Sequence, residues 1–279
     1  RNVNRLKEAQ TTLQGLCMDG QKVITVPLDI ASDIKIVSSK LQVAVDQLGD
    51  VAVLVNNAGT SIAGAFDATD VNEFSRMFQV NVLGSVTVTR ALLDSMKRSA
   101  EADGSGRLVF VSSQIAQSPI YGYSAYASSK WALRGIAEVL QMELKPYGIF
   151  VSVAYPPDTA TPGYELEMQS KPEITKKISE AGTVYSSAEV AADVVSGSTA
   201  AYSNISTGLD GWLLRQLHPG MGPVTNIFET LQPILLSGLA RAISVAYVLG
   251  FDAMAAEEVK KLRGGAVAAV AGAGDKKMK

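Results

Sequence analysis

Arg107-Leu-Val-Phe-Val-Ser112-Ser113 is an apolar run closed by two hydroxyls. Downstream comes Ser124-Ala-Tyr126-Ala-Ser-Ser-Lys130-Trp-Ala-Leu133, a window of small residues and good helix formers. The first stretch reads as a buried strand and the second as the start of a helix. A tyrosine and a lysine four residues apart on a helix project from one face, close enough to feel one another. A free phenol has a pKa of about 10 and is a poor proton donor at neutral pH. A neighbouring ammonium favours the phenolate and draws that pKa toward the working range, which suits a tuned general acid. A serine at the carboxyl end of the preceding strand would hydrogen-bond the oxygen that the tyrosine protonates. Tyr-x-x-x-Lys also occurs on ordinary solvated helix faces, so the pair takes its meaning from the rest of the chain.

Upstream, Val53-Leu-Val-Asn56-Asn57-Ala58-Gly59 is a second buried strand that stops in polar and small residues, and Asn81 follows within Val80-Asn81-Val82-Leu83-Gly84. Strand-like runs are expected near Lys22–Leu28, Val51–Val55, Leu108–Ser112 and Ile149–Tyr155. Helical patterns separate them near Asn4–Leu16, Asp33–Leu48, Val71–Lys97, Ala125–Lys145 and Ser187–Thr199. Such βαβα alternation with continuous apolar strands implies an α/β fold, a doubly wound parallel sheet covered on both faces. Ligands of such sheets bind outside the carboxyl ends of the strands, and each polar motif lies at one of those ends.

Asn-Asn-Ala-Gly, a helix Asn, a Ser and Tyr-x-x-x-Lys, in this order and spacing, resemble the short-chain dehydrogenase/reductase family, with its Rossmann-like sheet. The resemblance implies Tyr126 as proton donor to a substrate carbonyl, with hydride arriving from a nicotinamide cofactor. Lys130 would lower the Tyr126 pKa and hold the nicotinamide ribose, and Asn81 would prop a water chain behind Lys130. The usual spacing points to Ser113 as the catalytic serine, with Ser112 one residue off. Along a strand end only one of the two should face the cleft. Asn57, Ala58 and Gly59 would line the cofactor groove, and Thr161 would bond the nicotinamide carboxamide.

Sheets of this family begin with a strand and a Gly-rich turn that cradles the pyrophosphate at a helix N-terminus. Upstream of Asn56 there are only the single glycines Gly15, Gly20 and Gly49. Aligned to the family, Asp29 would end the third strand and contact the adenine. Arg1 would follow the second strand, with Arg5 a turn on, as cations for the 2′-phosphate of NADPH; an ordinary solvated helix start explains the two arginines equally well. On this alignment the sheet is N-terminally truncated, with a gap between Val23–Leu28 and Val51–Val55, and tight nicotinamide nucleotide binding by this chain is not expected.

Composition narrows the class. The 279 residues carry 25 Lys and Arg against 27 Asp and Glu, a balance that argues against an electrostatically held nucleic acid. One cysteine, Cys17, excludes an intrachain disulfide, and no Cys, His or carboxylate grouping has metal-ligand spacing. His218, beside Pro219 and Gly220, reads as a turn residue.

Beyond Tyr155 the chain reads Pro156-Pro157-Asp158-Thr159-Ala160-Thr161-Pro162-Gly163, where the family commonly has Pro-Gly; Pro157 replaces that Gly. With Ser112-Ser113-Gln114, Leu140–Tyr147, Leu209-Asp210-Gly211-Trp212 and Met221-Gly222-Pro223-Val224-Thr225, it resembles a subgroup that reduces a long-chain sphingoid ketone with NADPH. The resemblance makes Gly163–Thr183 a substrate lid, with Tyr164, Leu166 and Met168 placed to contact an acyl chain; an ordinary exposed helix explains the stretch equally well. From Thr230 to Phe251 Arg241 is the only charge, in a segment interrupted by Pro233. Its length approaches a bilayer span, against which a central charge counts. A membrane-inserted or interfacial helix, followed by cytosolic Lys260, Lys261 and Arg263, is expected ahead of a buried oligomer interface, and a homo-oligomer stays open. The expected division is a dinucleotide-binding domain at 1–222, a membrane-associated segment at 223–255 and a flexible tail at 256–279. The expected location is the endoplasmic reticulum membrane with a cytosolic active site. Reduction of another lipidic ketone (steroid, retinoid or fatty) and a non-catalytic membrane-bound relative are the alternatives.

Overall fold

A computed structural model of the chain describes residues 2–118, 120–180, 182–218 and 227–275. Arg1 and the Met221–Thr225 motif lie outside the described residues.

Four parallel strands form the central sheet, in the order β1 (Val53–Asn56), β2 (Gly106–Val111), β3 (Ile149–Tyr155) and β6 (Asn204–Ser206). Val53 registers with Arg107, Gly106 with Ile149 and Val153 with Asn204. Two-residue strands β4 (Thr159–Ala160) and β5 (Tyr185–Ser186) pair separately. Parallel strands need crossovers, which place helices on the faces of the sheet.

One face carries the main core. Here α4 (Gly84–Asp103) and α5 (Ser124–Leu144) pack Met96, Ala100, Leu133 and Ala137 against Leu108, Phe110, Val151, Val153 and Tyr155. The buried residues of α5 recur at Ala125, Ser129, Leu133, Ala137, Gln141 and Leu144, three or four apart, as one helical face requires. On the other face α8 (Ser187–Thr199) covers Val109, Ala154 and Ile205 with Val194. The Ser186–Glu189 capping box fixes the start of that helix.

Two expectations are corrected. Residues 22–28 form no strand, because no neighbouring strand takes up their backbone groups; α1 (Val3–Gln14) instead holds them through Gln10 Nε2 to Val23 O and Thr25 Oγ1 to Gln10 Oε1. Cover on both faces is complete for β2 and β3 only: Val53 and Val55 of β1 stay 55% and 44% exposed. The helical pattern expected over 71–97 is present as α3 (Val71–Met77), a π-helical segment at Phe78–Leu83, and α4.

Helix α2 (Ile34–Leu48) packs on α4, and Ile30 ahead of it fits where Gly84 has no side chain: a Cβ there would lie 2.7 Å from Ile30 Cδ1. Past β3 follow α6 (Pro162–Ser170), α7 (Glu173–Ser179), α9 (Gly208–Gln216) and the long α10 (Ile227–Asp275), which runs past residue 255. Glu229 docks the start of α10 by accepting from the Ser203 and Asn204 amides at 3.0 and 3.4 Å.

Phe110 has no exposed surface at the centre of the main core. Phe110→Ala is expected to lower stability by about 3–5 kcal/mol, through lost apolar burial and the cavity it leaves. Urea unfolding followed by circular dichroism measures the loss; a change under about 1 kcal/mol would show that the core does not close around this ring.

Candidate active site

The carboxyl ends of β1, β2 and β3 open into a cavity of roughly 1490 Å³, lined among others by Asn57, Gly59, Ser113, Tyr126, Lys130 and Thr161. Tyr126 and Lys130 lie one step round α5 from its buried stripe, so they meet the strand ends. Lys130 Nζ donates to Val111 O at 2.9 Å, the carbonyl that ends β2, and sits 5.7 Å from the centre of the Tyr126 ring.

The two serines part as strand alternation requires. Ser112 is buried and borders the same cavity, with its hydroxyl donating to Lys130 O at 2.9 Å, so it braces strand against helix. Ser113 lines the cavity and is hydrogen-bonded to Tyr126, and its oxygen also accepts from Ile115 N at 3.3 Å.

Asn81 reaches the site because of the π-helical segment that carries it. Its Oδ1 accepts from Thr60 N at 2.8 Å, and its Nδ2 donates to Thr60 O and Ser129 Oγ, both at 2.9 Å. Single π turns inside helices are frequent at functional sites. This one points Asn81 inward from a helix interior where Asn is otherwise disfavoured. A Cβ on Gly59 would lie 3.1 Å from Asn81 Oδ1 and 3.4 Å from Lys130 Nζ, so a side chain there would crowd both groups. Asn56 is buried, donating to Thr89 Oγ1 at 2.9 Å, and ties β1 to α4.

The electrostatics depart from expectation. The Tyr126 phenol is pushed up, not down: burial dominates, the Ser113 hydrogen bond opposes it, and the Glu167 and Asp158 carboxylates add to the rise. Lys130 is itself pushed down to about 8 by burial. The rise comes from burial of the phenol itself, which outweighs the lowering expected from a neighbouring ammonium.

Beside the Tyr126 ring lies a charge network the sequence reading did not find. Lys171, with no exposed side-chain surface, stands 3.3 Å from Glu167 and 3.8 Å from Asp158. Tyr123, whose ring centre is 5.8 Å from that of Tyr126, donates to Glu167. Burial raises Asp158, against the attraction of Lys171. The only sequence signal was negative: a polar, proline-broken stretch that reads as a surface lid. Within that stretch Tyr164 and Leu166 do line the cavity, while Met168 is not part of its lining. On the far side of the cavity Arg134 donates to His218 O at 2.6 Å, and the His218 ring stands edge-on to Tyr155. Burial, with Arg134 adding, pushes that imidazole down to about 3, so it stays neutral.

For a nicotinamide cofactor the residues fit at one end. Asn57, Gly59, Tyr126, Lys130 and Thr161 surround the cavity where a nicotinamide ribose would lie, although the Thr161 hydroxyl also caps α6 by accepting from Tyr164 N at 3.2 Å. The phosphate end does not assemble among the described residues. Arg5 is exposed in the first turn of α1, Asp29 Oδ1 accepts from its own turn at Ala31 N, and neither they nor Ala58 line the cavity. No Gly-rich strand-to-helix turn precedes β1 among these residues. No group of His, Cys, Asp and Glu that would hold a metal occurs among the described residues.

The short chain dehydrogenase pattern matches residues 1–171. A 3-dehydrosphinganine reductase of Danio rerio is 44% identical over 255 residues, 91% of this chain and 76% of the relative. A 3-ketodihydrosphingosine reductase of Bos taurus is 43% identical over the same shares. Among solved structures, a 7 alpha-hydroxysteroid dehydrogenase complexed with NADH and 7-oxo glycochenodeoxycholic acid superposes with a TM-score of 0.64 at 22% identity, covering 75% of this chain and 81% of that one, a likeness of fold alone. From the dehydrogenase pattern over more than half its length and relatives matched over nine-tenths of it, the chain belongs to the short chain dehydrogenase family.

Proposed function

We propose that the protein reduces the ketone of 3-ketodihydrosphingosine to give dihydrosphingosine, a step of sphingolipid synthesis, with NADPH as the nicotinamide cofactor. The observation that carries this is the meeting of Ser113, Tyr126 and Lys130 in a cavity whose far wall is an apolar helix. The names of the similar reductases support the substrate. The preference for NADPH rests on the resemblance, since Arg5 stands away from the cavity lining.

The cofactor, when bound, supplies the hydride. This chain's residues supply the proton and the geometry. Ser113 and Tyr126 hydroxyls would grip the ketone oxygen from two sides, and Tyr126 would pass its proton to that oxygen as charge develops there. A phenol held neutral by burial is a donor that stays loaded until the carbonyl demands the proton. Lys130, charged below pH 8, would steady the phenolate left behind. Asn81 would hold α5 and the Gly59 turn in register around it through Ser129 and Thr60.

Helix α10 supports membrane association. Residues Ile227–Met254 are long and apolar enough to cross a bilayer, and only 6% of that window is buried inside the protein. Phe228, Ile234, Leu235, Leu239 and Leu249 are all more than 60% exposed. Because the helix lies along the folded domain, we favour an in-plane position in the cytosolic leaflet of the endoplasmic reticulum over a span. In this reading residues 1–222 form the catalytic domain, 223–255 the membrane contact and 256–279 a tail.

In the full-length protein, Tyr126→Phe is expected to lower kcat/KM for 3-ketodihydrosphingosine by roughly 10²–10⁴-fold, followed as NADPH absorbance, with cofactor binding retained. Turnover within tenfold of the parent, or a preference of the parent for steroid or retinoid ketones, would overturn the assignment. Lys130→Met is expected to reduce activity while leaving the thermal midpoint at pH 7 unchanged or higher. The folded-state pKa of about 8 lies below the unfolded value of 10.5, so charged Lys130 costs stability below pH 8, and that cost is relieved as pH rises from 8 to 10.5. A clear fall in the midpoint of Lys130→Met at pH 7 would contradict this. Membranes washed with high salt should keep the protein and detergent should free it; release by salt alone counts against insertion of α10.

A further inference from the structure

Helix α10 is apolar nearly all round, yet it meets the protein along one narrow stripe. Leu236, Ala240, Ser244, Val248 and Phe251, spaced three or four apart, are its buried or half-buried positions, while their neighbours are mostly exposed. A helix apolar on every side belongs either in a core or in lipid, and this one has protein on one side only. The inner stripe is also a wall of the catalytic cavity: Ser244, Val248 and Phe251, with the more exposed Arg241 and Tyr247 beside them, line the same space as Ser113 and Tyr126. Arg241, an exposed position of the helix, borders that cavity as well, and an ionisable group in such a segment is tolerated beside one.

Along this wall the chemistry changes. The first turn is polar, with Arg241 and Ser244; the next turns carry Tyr247, Val248 and Phe251. Across the cavity Ile178, Leu213 and Leu214 complete an apolar enclosure. From Arg241 to Phe251 the helix rises about 15 Å. The cavity thus joins a polar chamber, where a ketone meets Tyr126, to an apolar trough whose outer wall is the helix proposed to touch the bilayer.

The geometry points to this trough as the seat of the substrate's alkyl chain, with Val248 and Phe251 setting the chain length that the enzyme accepts. The inference rests on the sphingoid-ketone reading and adds to it a location and a selectivity. The head of the substrate enters the polar chamber while its tail lies between α9 and the inner face of α10, so a lipid reaches the site without its chain crossing water. Each buried methylene contributes about fourfold in affinity, so preference for long chains accumulates along the wall.

The test compares twelve-carbon and eighteen-carbon 3-keto sphingoid bases as substrates of the full-length protein, and the corresponding dihydrosphingosines as ligands in titration calorimetry. Val248→Phe, which fills the trough, is expected to lower kcat/KM and affinity for the eighteen-carbon compounds at least tenfold while changing the twelve-carbon values less than threefold. Phe251→Ala, which removes part of the wall, is expected to weaken the long chain in the same selective way and serves if the first variant does not fold. Equal losses at both lengths, or none, in a folded variant would overturn the proposal. Should the parent protein reduce neither ketone, the functional reading fails, and the calorimetric chain-length dependence still decides the trough on its own.

Discussion

Lys130 is a buried cation held by one carbonyl at the end of a strand, and the site is arranged around that constraint. Its Nζ bonds Val111 O, its own carbonyl accepts from Ser112, and its head lies against Gly59 and near Asn81. An ammonium taken out of water loses much of its preference for the charged form, and here the hydrogen bond to the Val111 carbonyl offsets part of that loss. The helix, two strand ends and the π-helical segment must therefore meet within a few tenths of an ångström. That convergence also leaves room beside it for a reacting carbonyl.

Burial has a second effect on the same site. Tyr126 is held neutral beside a Lys130 whose ammonium is weakened by burial, so the resting protein holds no phenolate–ammonium ion pair there. The charge network of Lys171, Glu167 and Asp158 works in the same direction, because its carboxylates disfavour a phenolate next to them. The proton is thus kept on the donor by solvent exclusion and by neighbouring anions together. A simple reading of tyrosine and lysine as an isolated acid-base couple misses this balance.

What the sequence made legible is what depends on short-range pattern. The continuous apolar runs of β2 and β3, the three-and-four spacing of α5 and the placing of polar motifs at strand ends are all local properties, and they located the cavity. Where the outcome depended on partners far along the chain, local pattern failed. Residues 22–28 have strand composition but no strand to pair with, whereas Asn204–Ser206 is short and polar and becomes a strand because β3 supplies a partner. The choice between Ser112 and Ser113 needed the pleat of the actual strand, and the Lys171 network needed a polar segment to fold back over Tyr123. That Arg241, the one charge of an apolar segment, borders the cavity depends on how the helix docks, which local pattern does not carry.

The π-helical segment at Phe78–Leu83 bears on how the protein tolerates change. A π turn holds one residue more than the α-helix around it, and removal of that residue would restore the ordinary α register. The helix beyond would then turn by about 100° relative to α3, the angle of one residue in a 3.6-residue turn. Either Asn81 would swing away from Ser129 and Thr60, or the buried face of α4 would leave the sheet. Length is therefore held more tightly than identity over these six residues: a substitution there loses one contact, while a one-residue deletion sets the catalytic cavity and the main core against each other.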